Sequence, residues 1–320
     1  MEIHSILQMD KDNATTMNYF LLSGLSEMSE IQHLLFFMFL IIYIISILGN
    51  ASIIFAYKCS SELQTPMYFC LINFSFVEMC YVSTTVPNLL LQLITGHKRI
   101  SFYGCATQMY CFSFFGVTEC FILAAMAYDR YNAICNPLLY NIIMNKRTCI
   151  IFIAGSWLIA SINSLIHTVL TFMLPFCGSN AIDSFFCDMP PLLKLACTDT
   201  LVNQITIFVT GGCIIAGPFI LTVISYIQII STIVSIRLTS KKKKAFSTCT
   251  SHITAVVIFY VPSICIYFRP KSNQAMIQDK MATVIYAVIT PLLNPFIYSL
   301  RNNDVKVALK KMVHKLSVQF

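Results

Sequence analysis

Residues 126–135 read MAYDRYNAIC, with an acid and a base, Asp129 and Arg130, side by side at the end of a strongly apolar stretch. In a soluble helix such a pair would be ordinary, so its meaning depends on what surrounds the chain. Of the 320 residues, 57% are hydrophobic and 11% are charged, with a mean hydropathy of +0.73. That is more apolar and less charged than a soluble domain. The solvent is lipid, and the pair marks a place where apolar sequence meets water.

Outward from that stretch, the segment 103–134 is long enough to cross a bilayer, which takes about 20 residues. It is interrupted only by Glu119 and by the pair itself. Segments 31–57, 148–174, 201–236, 245–268 and 281–300 carry no charge, and 67–94 carries only Glu78. The count is seven, which predicts an all-α membrane protein: a seven-transmembrane helix bundle over 31–300. It is flanked by an extracellular tail over 1–30 and a cytoplasmic segment over 301–320.

The tail lacks an apolar core followed by a small-residue cleavage site, so the first span is expected to direct insertion itself. Orientation follows from the basic residues of short loops. An outside amino terminus gives the cytoplasm 14 of the 21 Lys and Arg, including Lys241 to Lys244. The carboxyl terminus is then inside. The net charge of +7 is strung along these loops, which fits lipid headgroups and not nucleic acid.

After the seventh span, Asn302, Asn303 and Asp304 are helix-capping residues. Val305, Leu309, Met312 and Leu316 then fall on one helical face, with Lys306, Lys310 and Lys311 mostly off it. This is the pattern of a short amphipathic helix lying in the membrane interface. Asn13 heads an Asn-Ala-Thr triplet in the outer tail and is a candidate glycan acceptor. Cys105, Cys177, Cys187 and Cys197 lie on the oxidising side, where four cysteines allow three pairings and spacing does not choose among them.

No glycine-rich phosphate loop, Cys-x-x-Cys, His-Glu-x-x-His or nucleophile elbow occurs, so an enzyme reading has no residues to stand on. A charge inside a bilayer costs roughly 2.5 to 3.5 kcal/mol, so Glu78 and Glu119 are expected to face the bundle interior. Asn50, Ser75 and Asn294 stand at comparable depth and complete a candidate ion or proton site. Two protonated carboxyls that only bridge helices are the plainer alternative. Asp129 and Arg130 lie about 25 residues past Cys105, roughly 38 Å lower at 1.5 Å per residue, near the cytoplasmic surface. There they form either an openable lock or a snorkelling arginine that marks the interface.

MAYDRYNAIC, taken with LLNPFIYSLRN at 292–302, resembles the rhodopsin-like G-protein-coupled receptors and, more narrowly, the odorant receptors. TPMYFCLINFSFVEMCY at 65–81, SFFCDMPPLLKLACTDT at 184–200, SY at 225–226 and KAFSTCTSH at 244–252 follow in family order over nearly the whole chain. The resemblance implies that Arg130, with its neighbour Tyr131, engages a heterotrimeric stimulatory G protein that raises cyclic AMP. Asp129 would restrain Arg130 at rest. Tyr226 and Tyr298 would stabilise the active arrangement, with Asn294 and Pro295 in the seventh-helix motif. It further implies disulfides Cys105–Cys187 and Cys177–Cys197, an ion or water site at Glu78 and Glu119, and no cofactor or resident metal.

Departures from the family pattern are Glu78 in place of Asp, Asn132 in place of Val, Ser184 in place of His and Cys70 in place of Phe. The expected ligand is a small, mostly apolar odorant in the outer half of the bundle, where such bundles hold small molecules. Helical spacing assigns its lining to Phe112, Ser113, Gly116 and Val117, to Thr206, Thr210, Gly211 and Ile214, and to Tyr260, Ser263, Ile264 and Tyr267. Two rivals are a receptor of the same fold for a non-olfactory ligand and a cation transporter or channel running past Glu78 and Glu119.

Overall fold

The computed structural model describes residues 17–25, 28–177, 179–235, 239–267, 283–301 and 305–307. Helix α1 spans Ser29–Cys59, α2 Pro66–Thr95, α3 Phe102–Cys135 and α4 Lys146–Phe172. Helix α5 runs over Leu201–Ser235, α6 over Thr239–Tyr267, and α7 enters at Ile285–Ile289 and continues through Thr290–Arg301. The first five are long and apolar enough to cross a membrane, and Cys249–Ile264 and Ala287–Tyr298 are the described apolar parts of the last two. The expected seven-helix bundle is what forms.

Local chemistry sets the helix ends. Pro66 opens α2, where a missing N–H costs nothing. Gly96 closes it at φ 68°, a left-handed conformation that a side chain resists. The Ser101 hydroxyl accepts from the Gly104 N–H to start α3, and the Asn145 side chain accepts from the Thr148 N–H to start α4.

Helix α3 is the centre of the bundle, packing against α2, α4, α5 and α6, while α1 closes onto α2 and α7. Gly49 permits that last closure, since a Cβ there would stand 2.9 Å from Pro295 Cβ. The core is shared by Phe74, Tyr81, Phe112, Leu123, Phe259 and Tyr298 from four helices. Leu34, Phe37, Leu158, Phe208 and Ile227 are exposed on the outer faces, as a lipid-facing surface requires.

Three features depart from the sequence expectation. Short strands β1 (Tyr19–Leu22), β2 (Arg99–Ser101) and β3 (Ala181–Ile182) form a sheet of order β2-β1-β3 at one end of the bundle, so the amino-terminal segment is partly structured and not only a polar tail. Strand β1 pairs antiparallel with β2 and parallel with β3, and Phe20 packs with Phe102, Phe172 and Phe176 beneath it. Runs of two to four residues are too short for an alternating pattern to show. Second, α5 and α7 each carry a wide π-turn, at Gly212–Ala216 and Ile285–Ile289, which a 3.6-residue period does not anticipate. Third, α4 ends two residues before the expected span.

Asn13 and most of the post-bundle helix lie outside the described residues. Only 305–307 of that helix is described, helical and with Val305 buried. The side chains of Lys241 to Lys244 and Tyr267 also lie outside them.

Candidate functional site

Cys105 at the start of α3 is bonded to Cys187, and Cys177 to Cys197, with Cα separations of 5.4 and 5.6 Å. The first bridge draws the loop between α4 and α5 onto the start of α3. Gln108 completes the attachment: its Oε1 accepts from the Cys187 N–H at 2.9 Å and its Nε2 donates to the Thr84 carbonyl at 2.8 Å. Gln92 Nε2 donates to the Phe185 carbonyl at 3.1 Å. Phe185 and Phe186 are thereby buried among the helices.

Beneath this loop Phe112 is buried, its ring 4.6 Å from Phe186 and stacked at 4.9 Å on Tyr81. Ser113 accepts a hydrogen bond from Ser164 Oγ at 3.1 Å. Gly116 is buried and Ser113 and Val117 are half-buried. On α5, Thr206 and Thr210 return their hydroxyl protons to the carbonyls of Val202 and Thr206. The Thr210 oxygen, 2.7 Å from His167 Nε2, is left to accept from that ring. Gly211 faces open space and Ile214 is half-buried in the π-turn.

On α6, Tyr260 is buried and its ring lies 4.9 Å from Phe219 of α5. Ser263 is buried too, but donates to the Phe259 carbonyl of its own helix at 2.7 Å. Ile264, one turn on from Tyr260, is 40% exposed, and α6 carries Pro262 between them.

The predicted intramembrane cluster is brought together in part. Asn294 of α7 donates to Glu78 Oε1, with both side chains buried. Glu119 is buried close enough to Glu78 to interact with it electrostatically. Glu78 Oε2, Glu119 Oε1, Asn294 Oδ1 and Ser75 Oγ are buried without a protein partner, so polar capacity in this part of the bundle is left unfilled by protein groups. Asn50 stands apart. Its amide and Ser46 Oγ both donate to the Pro291 carbonyl, which ties α1 to α7.

At the inner end of α3, Asp129 is buried and its Oδ1 accepts from Tyr140 Oη at 2.8 Å. That bond latches α3 to the loop that joins it to α4. Burial pushes the Tyr140 phenol well above its ordinary range, and the Asp129 carboxylate adds to the push. Arg130 is half-buried with its Nε unpartnered. Tyr226 of α5 bonds His252 Nδ1 of α6 at 2.7 Å, and the two rings stack. Tyr131 packs at the edge of the cluster formed by Ala127, Tyr226, Ile229 and Cys249. Tyr298 is buried against Phe74, with its hydroxyl unpartnered.

Sequence reasoning did not single out Tyr140, His167, His252 or the Phe185–Phe186 plug. A lone histidine in an apolar span was the available signal for two of them. Among the described residues, no group of three or more His, Cys, Asp or Glu side chains is arranged to hold a metal.

An olfactory receptor family model matches residues 39–316. Olfactory receptor 1f45 of Rattus norvegicus is 46% identical over 95% of this chain and 97% of its own length. Human olfactory receptor 1L1 is 47% identical, covering 97% of this chain and 86% of the relative, and human olfactory receptor 1F1 is 46% identical over 96% and 99%. The crystal structure of squid rhodopsin superposes with a TM-score of 0.69 at 17% identity, covering 90% of this chain and 82% of that one, which shows a shared fold. With similarity of this degree along nearly its full length, the chain belongs to the olfactory receptor family, multi-pass odorant-sensing G-protein-coupled receptors of the plasma membrane and not enzymes.

Proposed function

We propose that the receptor binds a small, mostly apolar odorant between α3, α5 and α6 in the outer half of the bundle, and that this activates a stimulatory olfactory-type G protein to raise cyclic AMP. The observation that carries the reading is the continuity of α3. One unbroken helix presents Phe112, Ser113, Gly116 and Val117 under the loop plug and Asp129, Arg130 and Tyr131 at its other end. A ligand that shifts α3 against α5 and α6 bears directly on the inner contacts.

The lining is aromatic and aliphatic, with hydroxyls at Ser113, Thr206 and Thr210 and an imidazole at His167. That suits a neutral molecule held by shape and one or two hydrogen bonds. In the proposed orientation, amino terminus outside and carboxyl terminus inside, both disulfides face the oxidising side. Leu138, 94% exposed beside the Tyr140 latch, then stands at the cytoplasmic face as an apolar docking residue for the G protein. Asn13 is a glycan acceptor in this orientation, and the segment after α7 lies along the inner leaflet.

The test is a cyclic AMP reporter screen of chemically diverse odorants on wild type, Arg130→Ala and Tyr260→Ala at matched surface level. A response abolished in Arg130→Ala and shifted to higher odorant concentration in Tyr260→Ala supports coupling and pocket together. Ligand-dependent current with the G protein removed would sink the reading in favour of a channel.

A further inference from the structure

Two glutamines lie beneath the loop plug, and they are not equally satisfied. Gln108 of α3 uses both ends of its amide, accepting from the Cys187 N–H and donating to the Thr84 carbonyl. Gln92 of α2, 5% exposed, uses one end: its Nε2 donates to the Phe185 carbonyl at 3.1 Å. That carbonyl can only accept, so the amide is fixed with Oε1 turned away from it. Among the described residues the buried Gln92 Oε1 finds no hydrogen-bond partner, and neither does the buried Nδ2 of Asn88, one helical turn earlier. A buried polar atom left unpaired is costly, and here an acceptor and a donor are left unpaired side by side.

Helix geometry brings the two atoms to one place. Residues four apart share a face of a helix, and a long helical side chain leans back toward the amino terminus, so Gln92 leans over Asn88. Tyr81 lies on the same face two turns before Asn88 and stacks on Phe112 of the proposed lining. This face of α2 therefore continues the odorant site beyond α3. The neighbouring Leu89, Leu93, Phe185 and Phe186 belong to one buried apolar cluster. Glu78 precedes Asn88 by about 15 Å along the helix, so the pair is separate from the carboxylate cluster.

We propose that Asn88 and Gln92 form a hydroxyl-binding subsite beneath the loop plug, which takes the alcohol or phenol group of the odorant. The proposal rests on the reading of the chain as a receptor for a small, mostly apolar odorant, and it names that ligand's polar group. A hydroxyl accepts from Asn88 Nδ2 and donates to Gln92 Oε1, so one group satisfies both atoms. An ether, ester or ketone only accepts, and leaves Gln92 Oε1 unpaired. A carboxylate has the same defect and brings a charge into apolar surroundings. Neither amide titrates, so the preference for a hydroxyl is the same across neutral pH.

The experiment measures binding to the purified full-length receptor in lipid nanodiscs, from the dependence of its melting midpoint on probe concentration. The probes are 2-phenylethanol, 2-cyclohexylethanol and geraniol, each beside its methyl ether and its parent hydrocarbon. For at least one skeleton the alcohol should bind wild type about 10-fold more tightly than its ether, as one buried bond with an otherwise unpaired partner implies. Gln92→Met should remove the advantage of alcohol over ether. Asn88→Leu should weaken alcohol and ether alike and leave the hydrocarbon unchanged, a pattern that a general loosening of the helix does not produce. That second variant decides the matter alone if Gln92→Met folds poorly without its bond to the plug. Equal binding of alcohol and ether to wild type, an advantage that survives Gln92→Met, or no saturable binding of any of the three alcohols overturns the proposal. A cyclic AMP response to odorants without alcohol preference overturns the subsite and leaves the proposed function standing. Alcohol binding of the expected pattern with no cyclic AMP response overturns the coupling and leaves the subsite.

Discussion

Tyr140 is the residue whose chemistry is most exposed to test. Its phenol donates to a buried carboxylate, a charge-assisted bond of the stronger kind. Tyr140→Phe keeps the ring and leaves Asp129 Oδ1 unpaired beside an Oδ2 that already lacks a partner. The cost should be about 1 to 3 kcal/mol, visible as faster hydrogen exchange over 136–145 while the disulfide-anchored outer half is unchanged. Unaltered exchange there would show that the latch holds nothing. Because the folded phenol is raised above its unfolded value near 10, its contribution is fully present below about pH 10 and is lost as pH rises through the folded value. The latch should therefore stay constant through neutral pH on the alkaline side. Tyr226→Phe makes the parallel test at α5: loss of its bond to His252 frees α6, and basal cyclic AMP at matched surface level should change while the odorant concentration for half-response shifts little. Asp129 and Arg130 were legible because charge at the end of an apolar run is conspicuous, and Tyr226 through the family resemblance that the SY pair at 225–226 helps to carry. Their partners Tyr140 and His252 were not, since a partner across the bundle is set by tertiary packing and no local spacing encodes it.

At the scale of elements, helix count and approximate limits could be read directly, because lipid forces every backbone group into a helix and leaves a long apolar run as the trace. Rotation of each helix was less legible. Phe112 and Gly116 of α3 are buried and Ser113 and Val117 half-buried, whereas Ile264 is 40% exposed beyond Pro262, which interrupts the regular period. The π-turn in α5 adds a residue to one turn and changes the phase beyond it in the same way. Gly49 gives an element-scale prediction: Gly49→Ala places a methyl 2.9 Å from Pro295 Cβ and 3.3 Å from Pro295 Cγ, with little room for a proline ring to yield. Overpacking of this sort costs about 1 to 3 kcal/mol. The α1–α7 contact should open, lowering surface expression and melting temperature. Gly155→Ala, where a Cβ meets nothing within 4 Å, is the matched control that should leave both unchanged.

For the whole molecule, the outer sheet, the loop plug and the inner latch are joined through α3, which touches four other spanning helices. If odorant and G protein bias the same arrangement of that helix, thermodynamic linkage requires each to tighten the other by one common factor, typically about 5- to 150-fold. Binding of an odorant found in the reporter screen should therefore strengthen when purified nucleotide-free stimulatory G protein is added to the receptor in membranes. Phe186→Ala, which removes the ring packed at a tilt against Phe112, should weaken odorant binding with and without G protein and leave the ratio intact. Arg130→Ala should do the reverse, leaving affinity without G protein close to wild type and reducing the ratio toward one. A ratio near one in the wild type, with both partners separately shown to bind, would mean that the two ends of α3 act independently and that signalling runs along another helix.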